Sequence, residues 1–127
     1  MAPTAAAVAG RLDGYDRAVE VGIGTNPAVA ERLAGRGVAV TATDVHRRDV
    51  PEGVRFVRDD VTDPDPSMYR GAGVVYALNL PPELQEPVRA VARRVDADCL
   101  FTTLGGDPPT VPVDPEQVPG DTVYRVR

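Results

Sequence analysis

The sequence predicts an α/β fold, a single domain built on a mostly parallel, twisted sheet with helices on both faces. Three observations predict it. Short Val-rich runs recur at 17–21, 37–44, 54–57, 73–80 and 98–104, each the length of a buried strand. Apolar residues at helical spacing lie before the first run and between several of the others. A Gly-x-Gly turn, Gly22-Ile23-Gly24, follows the first strand and opens onto a helix, the order of a Rossmann-like βαβ unit. A chain of 127 residues is long enough for one core without disulfides or a metal, so residues 1–127 are read as one domain.

The elements follow in order. Ala5, Val8, Ala9 and Leu12 form one apolar stripe, predicting a helix over 4–13 that Gly14 ends. Arg17–Val21 is the first strand. Asn26 is placed as a helix N-cap and Pro27 as the first helical residue, with Val29, Ala30 and Leu33 facing inward and Gly35 and Gly37 ending the helix. The second strand closes on Asp44, and the third, Val54–Val57, runs into Asp59 and Asp60. Residues 62–73 are rich in turn formers. The fourth strand ends in Asn79-Leu80-Pro81-Pro82, and the prolines open a helix with Leu84, Val88, Val91, Ala92 and Val95 on one side. After the fifth strand, proline density predicts an irregular tail over 105–120, with a last strand at 121–126. Residues 45–53 and 61–72 are too short for full crossover helices. One sheet face is therefore expected to be thinly covered beside the second and third strands, leaving room for a protein partner or a second copy in a homodimer.

Composition narrows the function classes. Formal net charge is −5, and every basic residue is arginine. An acidic, lysine-free surface suits high internal salt, where repulsion is screened; a GC-rich genome gives the same composition. The charge disfavours non-specific nucleic-acid binding. No apolar run reaches the roughly 20 residues of a membrane span. The opening MAPTAAAVAGRLDGYD lacks a basic start and reads as a helix, not a signal peptide. The single cysteine, Cys99, suits a reducing cytoplasm and, lying in an apolar strand, is expected to be buried and inert. With one histidine, His46, a His/Cys zinc site is not expected.

The glycine turn is the candidate site. In such sheets, ligands sit beyond the carboxyl ends of the strands, where strand order reverses. Glycine lets the backbone turn sharply and lets a ligand come close. A dinucleotide such as NAD(P) would place its pyrophosphate on the following helix, but its fingerprint wants a third glycine where Pro27 stands. S-adenosylmethionine has no phosphate and carries a cationic amino group. Glu20, two residues before Gly22, is placed to neutralise that group and would repel a pyrophosphate. The expected cofactor is thus the sulfonium nucleoside, held by Glu20, Gly22, Gly24, Asn26, Asp44 and Asp60. Asp44, 20 residues past Gly24, is placed for the ribose hydroxyls. Asp59 or Asp60 either approaches the adenine amino group or belongs to a solvated turn. Asn79 either orients a methyl acceptor, as the one candidate catalytic residue, or caps the helix behind it. His46 is a general base or a surface histidine.

The runs VEVGIG, TATDV, VRDDVTDP and MYRGAGVVYALNLPPELQEPV resemble a small family of archaeal proteins with a Rossmann-like fold related to S-adenosylmethionine-dependent methyltransferases. The resemblance extends from Ala18 to Leu104. Its more specific elements are Asp59-Asp60, Tyr69-Arg70 and Pro81-Pro82-Glu83-Leu84. It implies cofactor binding through Glu20, Gly22, Gly24 and Asp44. Around Asn79 the chain departs from methyltransferases that modify amino nitrogens: Leu80 is inserted, and Glu83 stands where an aromatic residue would be. Three functions stay open: a small methyltransferase, a non-catalytic binding module that keeps the cofactor pocket, and a dinucleotide binder.

Overall fold

The computed structural model describes residues 3–127; residues 1 and 2 of the opening stretch lie outside the described residues. Among the described residues there are three helices, α1 (Pro3–Leu12), α2 (Ala28–Gly35) and α3 (Pro82–Arg94). The strands are β1 (Arg17–Val21), β2 (Ala39–Asp44), β3 (Val54–Arg58), β4 (Val74–Ala77), β5 (Asp98–Phe101), β6 (Val113–Val118) and β7 (Asp121–Val126). They form one sheet in the order β3-β2-β1-β4-β5-β7-β6. The first five are parallel, and β7 enters antiparallel to both β5 and β6. Strand order reverses between β1 and β4, which places the switch point at the glycine turn.

Period-two alternation divides the core. Ala18, Val40, Ala42, Val54, Val74, Tyr76 and Leu100 face α1 and α2, where Val8, Leu12, Val29 and Leu33 meet them. Val19, Val21, Val75, Ala77, Cys99 and Phe101 face the other way, against Val88, Val91 and Ala92 of α3. Both faces thus carry helices, as the sequence predicts. The helix α3 lies on β4 and β5. On that side of β2 and β3, among the described residues, the connection around a short 3₁₀ turn, Pro66–Met68, packs Val61, Met68, Tyr69 and Ala72 into the core. Tyr69, fully buried, anchors this connection, and its hydroxyl donates to Asp59 at 2.8 Å.

Four elements differ from expectation. The helix after the glycine turn starts one residue late: Pro27 takes the cap position, and Asn26 Oδ1 accepts from Ala28 N at 3.3 Å. Strands β4 and β5 are shorter than their apolar runs. The predicted irregular tail is partly strand, since residues 113–118 form β6 and pair with β7. Proline is tolerated there because β6 is the sheet edge, where the missing N–H of Pro115 costs no ladder bond. Pro119 and Gly120 make the hairpin turn, with Gly120 at φ +86, the positive value that glycine supplies after proline in a type II turn. A bidentate pair, Arg11 Nε and Nη2 to Glu116 at 3.0 Å each, ties the edge strand back to α1.

Leu33 is fully buried between α2 and the sheet. Leu33→Ala is expected to lower stability by about 2–5 kcal/mol in urea unfolding, through lost transfer energy plus a cavity.

Candidate functional site

Gly22 and Gly24 both have positive φ, +71 and +57, which L side chains rarely adopt. A Cβ at either would meet nothing within 4 Å, so the space beyond the turn is open. The turn's own donors point elsewhere. Gly22 N and Ile23 N donate to Thr43 O at 2.9 and 3.0 Å, and Gly24 N donates to Asp44 Oδ2 at 2.9 Å. Three consecutive N–H groups are thereby committed to the end of β2. Ala28 N, the first donor of α2, is taken by Asn26.

Glu20 lies beneath this turn and is only 1 % exposed. It faces the α1–α2 side, and Tyr76 Oη donates to its Oε1 at 2.7 Å. No salt bridge to an arginine is formed. Burial raises its carboxyl to about 8, only partly opposed by the tyrosine hydrogen bond. Without ligand the group is mostly protonated at neutral pH. The sequence-based expectation of a standing anion at the cleft surface is therefore corrected: Glu20 is a buried, largely neutral carboxyl under the cleft floor. Repulsion from a standing anion at Glu20 thus does not weigh against a dinucleotide, whereas the committed turn donors do.

Asp44 is 7 % exposed and holds the turn. Its second oxygen accepts from His46 N at 3.0 Å, and Arg48 Nε lies 3.4 Å from Oδ2. Burial alone would raise its carboxyl; the N–H groups of His46 and Gly24, with Arg48, overcome that and hold it below the usual aspartate value. The acidic pair divides its work. Asp59 is spent on structure, accepting from Asp65 N at 3.0 Å and from Tyr69 Oη. Asp60 is exposed and uses one oxygen, Oδ1, for Thr62 N and Oγ1 at 2.9 and 2.7 Å. Asp59, Asp60, Val45 and Arg58 line a cavity of about 500 Å³ at the carboxyl ends of β2 and β3.

A second cavity, about 200 Å³, lies across the switch point. It brings together Asn26, Asn79, Thr102 and Asp121 under α1. Asn79 is exposed, with φ +51, and its N–H donates to Thr102 Oγ1 at 2.9 Å. Thr102 also accepts from Leu80 N at 2.8 Å through its carbonyl, which pins the chain after β4. The Asn79 side-chain amide at the rim has no hydrogen-bond partner among the described residues.

The model of an uncharacterised protein family, UPF0146, matches residues 3–124. The chain belongs to that family. A UPF0146 protein of Halobacterium salinarum is 60 % identical over 111 residues, covering 87 % of this chain and 84 % of that one. One of Archaeoglobus fulgidus is 54 % identical over 91 residues, covering 72 % and 70 %. Among solved structures, an RNA methyltransferase from Salinibacter ruber in complex with S-adenosyl-L-homocysteine has a TM-score of 0.68 at 18 % identity, covering 99 % of this chain and 91 % of that one. A TehB-like S-adenosylmethionine-dependent methyltransferase from Corynebacterium glutamicum has a TM-score of 0.65 at 17 % identity, covering 93 % and 84 %. The chain spans about half of a solved Burkholderia pseudomallei protein, covering 77 % of this chain and 51 % of that one at TM-score 0.57 and 20 % identity. At these identities the structural likeness shows the fold: UPF0146 has the methyltransferase-like Rossmann arrangement.

Sequence reasoning missed three residues of the candidate site. Val45 is an apolar side chain left 48 % exposed between Asp44 and His46, and an apolar residue directly after a strand-ending acid was its only signal. Thr102 and Tyr76 act through contacts 23 and 56 residues away in sequence and carry no local signal. Cys99 is buried as expected, with its thiol pushed up to about 12 mainly by that burial. No His/Cys/Asp/Glu group suited to a metal occurs among the described residues, and no helix there is long and apolar enough to cross a membrane.

The raised carboxyl of Glu20 gives a signed pH dependence. Between the unfolded value near 4.5 and the folded value near 8, the native chain holds a proton that the unfolded chain releases. Stability from this group is full below pH 4.5 and is lost as pH rises toward 8. In urea unfolding, wild type is expected to lose a few kcal/mol more than Glu20→Gln between pH 5 and pH 8, on the order set by 1.4 kcal/mol per pH unit. Equal losses in the two proteins would show that Glu20 ionises normally.

Proposed function

We propose that this UPF0146 chain binds S-adenosylmethionine, or its demethylated product, across the carboxyl ends of β3, β2, β1 and β4. The observation that carries this reading is the state of the glycine turn. It is open to close approach, yet three of its N–H groups, those of Gly22, Ile23 and Gly24, are already bonded to Thr43 and Asp44 and so are lost to a diphosphate. A nucleoside with no phosphate suits such a turn; a dinucleotide does not. In this reading Val45 offers its exposed face to the adenine, and Asp60 presents its outer oxygen to the ring amino group. Asp44 accepts from the ribose through lone pairs its backbone bonds leave unused, since a carboxylate has about four acceptor sites. Gly22 and Gly24 let the amino-acid end lie over the turn, with Asn26 at its rim. A cation placed there favours ionised Glu20, whose proton is released to solvent. The solved Salinibacter neighbour, complexed with S-adenosyl-L-homocysteine, supports a ligand of this class.

Catalysis asks little more of the protein. The sulfonium is already activated, and alignment of the acceptor supplies much of the rate. Asn79 would orient that acceptor by its free amide. The cavity beside it, about 200 Å³, limits the acceptor group to a small one. If no small acceptor is turned over, the site is a binding module that uses the cofactor as a signal.

Calorimetry with S-adenosylmethionine, S-adenosylhomocysteine and NAD, at low and at molar salt, tests the assignment. The nucleosides are expected to bind and to raise stability by about 2.7 kcal/mol at a hundredfold excess over Kd. Val45→Asp is expected to weaken them tenfold or more, and Asp60→Ala several-fold, consistent with one lost hydrogen bond. NAD binding more tightly than both nucleosides would overturn the reading.

A further inference from the structure

At the opposite end of the sheet from the glycine turn, the thinly covered face holds a further cavity of about 240 Å³. It is lined by Arg17, Thr41, Gly53, Arg55, Met68 and Arg70, with small apolar residues between them. Register explains the convergence. Arg17 opposes Ala39 across β1–β2, and Thr41 opposes Arg55 across β2–β3, so Arg17, Thr41 and Arg55 stand on one face. Arg70 comes from the connection that Tyr69 anchors. The Tyr69-Arg70 step thus places one side chain in the core and the next at the rim of the cavity. Arg17 passes beside Gly71, where a Cβ would lie 3.8 Å from Arg17 Cδ.

All three arginines are exposed, and none forms an ion pair among the described residues. No carboxylate lines the cavity. In a chain of net charge −5, another arginine-lined cavity differs by having carboxylates in its wall: there Arg125 pairs with Asp98, and Arg127 with Asp114. Asp65 offsets part of the Arg70 charge, but three guanidinium groups lining one cavity still repel, an arrangement relieved by a multivalent anion. Guanidinium forks match phosphate oxygens in geometry, and the Thr41 hydroxyl adds a neutral donor.

We propose that this cavity is a phosphate-binding site, separate from the nucleoside site. A phosphate monoester, carrying about −1.5 to −2 at neutral pH, comes close to the three positive charges. Arg17 and Arg55 grip it from the sheet and Arg70 from the connection, with Thr41 at its base. The inference goes beyond the cofactor reading and does not depend on it. The same phosphate chemistry occurs on a free sugar phosphate and on an RNA backbone, and the chosen probes separate these sources without offering an adenine to the other site.

The test is an amide-resolved NMR titration of the whole chain with inorganic phosphate, ribose 5-phosphate and a short oligouridylate, each at fixed ionic strength in chloride. Saturable shifts are expected at Thr41, Gly53, Arg55 and Gly71, with the glycine turn unmoved. Arg55→Gln and Arg70→Gln, both at exposed positions, are each expected to weaken binding about tenfold, in line with one lost charge-assisted contact. Ribose 5-phosphate saturating the site, with oligouridylate no tighter, assigns a small phosphorylated ligand. Tighter oligouridylate binding that steepens with length and fails in the same variants assigns the phosphate to RNA. Absence of saturation with all three probes, or saturation that both variants leave unchanged, overturns the proposal.

Discussion

The carboxylate of Asp44 binds two strands' ends into one surface. One oxygen holds Gly24 N of the turn after β1, and the other holds His46 N of the chain leaving β2. The neighbouring carbonyl of Thr43 takes Gly22 N and Ile23 N. The glycine turn is therefore hung from β2, not left to its own conformational preference. Its shape needs positive φ at two positions, and its stability needs those bonds. Charge-assisted bonds in a mostly buried place are among the stronger local contacts available. Everything proposed for the cleft rests on that pinned loop.

Beneath it, Glu20 and Tyr76 supply a different kind of control. A carboxyl buried with one hydroxyl partner and no cation stays protonated well above its usual range. The site floor is then neutral when empty and gains charge only when something positive arrives above it. A permanently ionised group in the same place would need a paired cation or would cost several kcal/mol to bury. The tyrosine satisfies the carboxyl without fixing its charge.

Most of the fold was legible because its signals are local. Strand β1 and the carboxyl end of β2 fall where valine content and end residues put them, and α3 shows its buried stripe in Val88, Val91 and Ala92. The edge strand β6 was not legible. Its six residues include a proline and two acids, and only pairing with β7 and the Arg11–Glu116 clamp make it a strand. The start of α2 was displaced by one residue, because Asn26 and Pro27 each suit the cap and the backbone chose between them.

By itself, the sequence determined the alternation of strands and helices, the need for glycine at 22 and 24, and the acids at the ends of β2 and β3. Each of these follows from periodicity or from the conformational range of one residue. The tertiary structure alone decided that Glu20 is buried and mostly neutral, that Asp59 is structural while Asp60 faces out, and that Arg17, Arg55 and Arg70 meet in one cavity. Those outcomes depend on which distant residues come within a few ångströms of each other. Ionisation, hydrogen bonding and charge repulsion are set at that range, and no spacing along the chain encodes it.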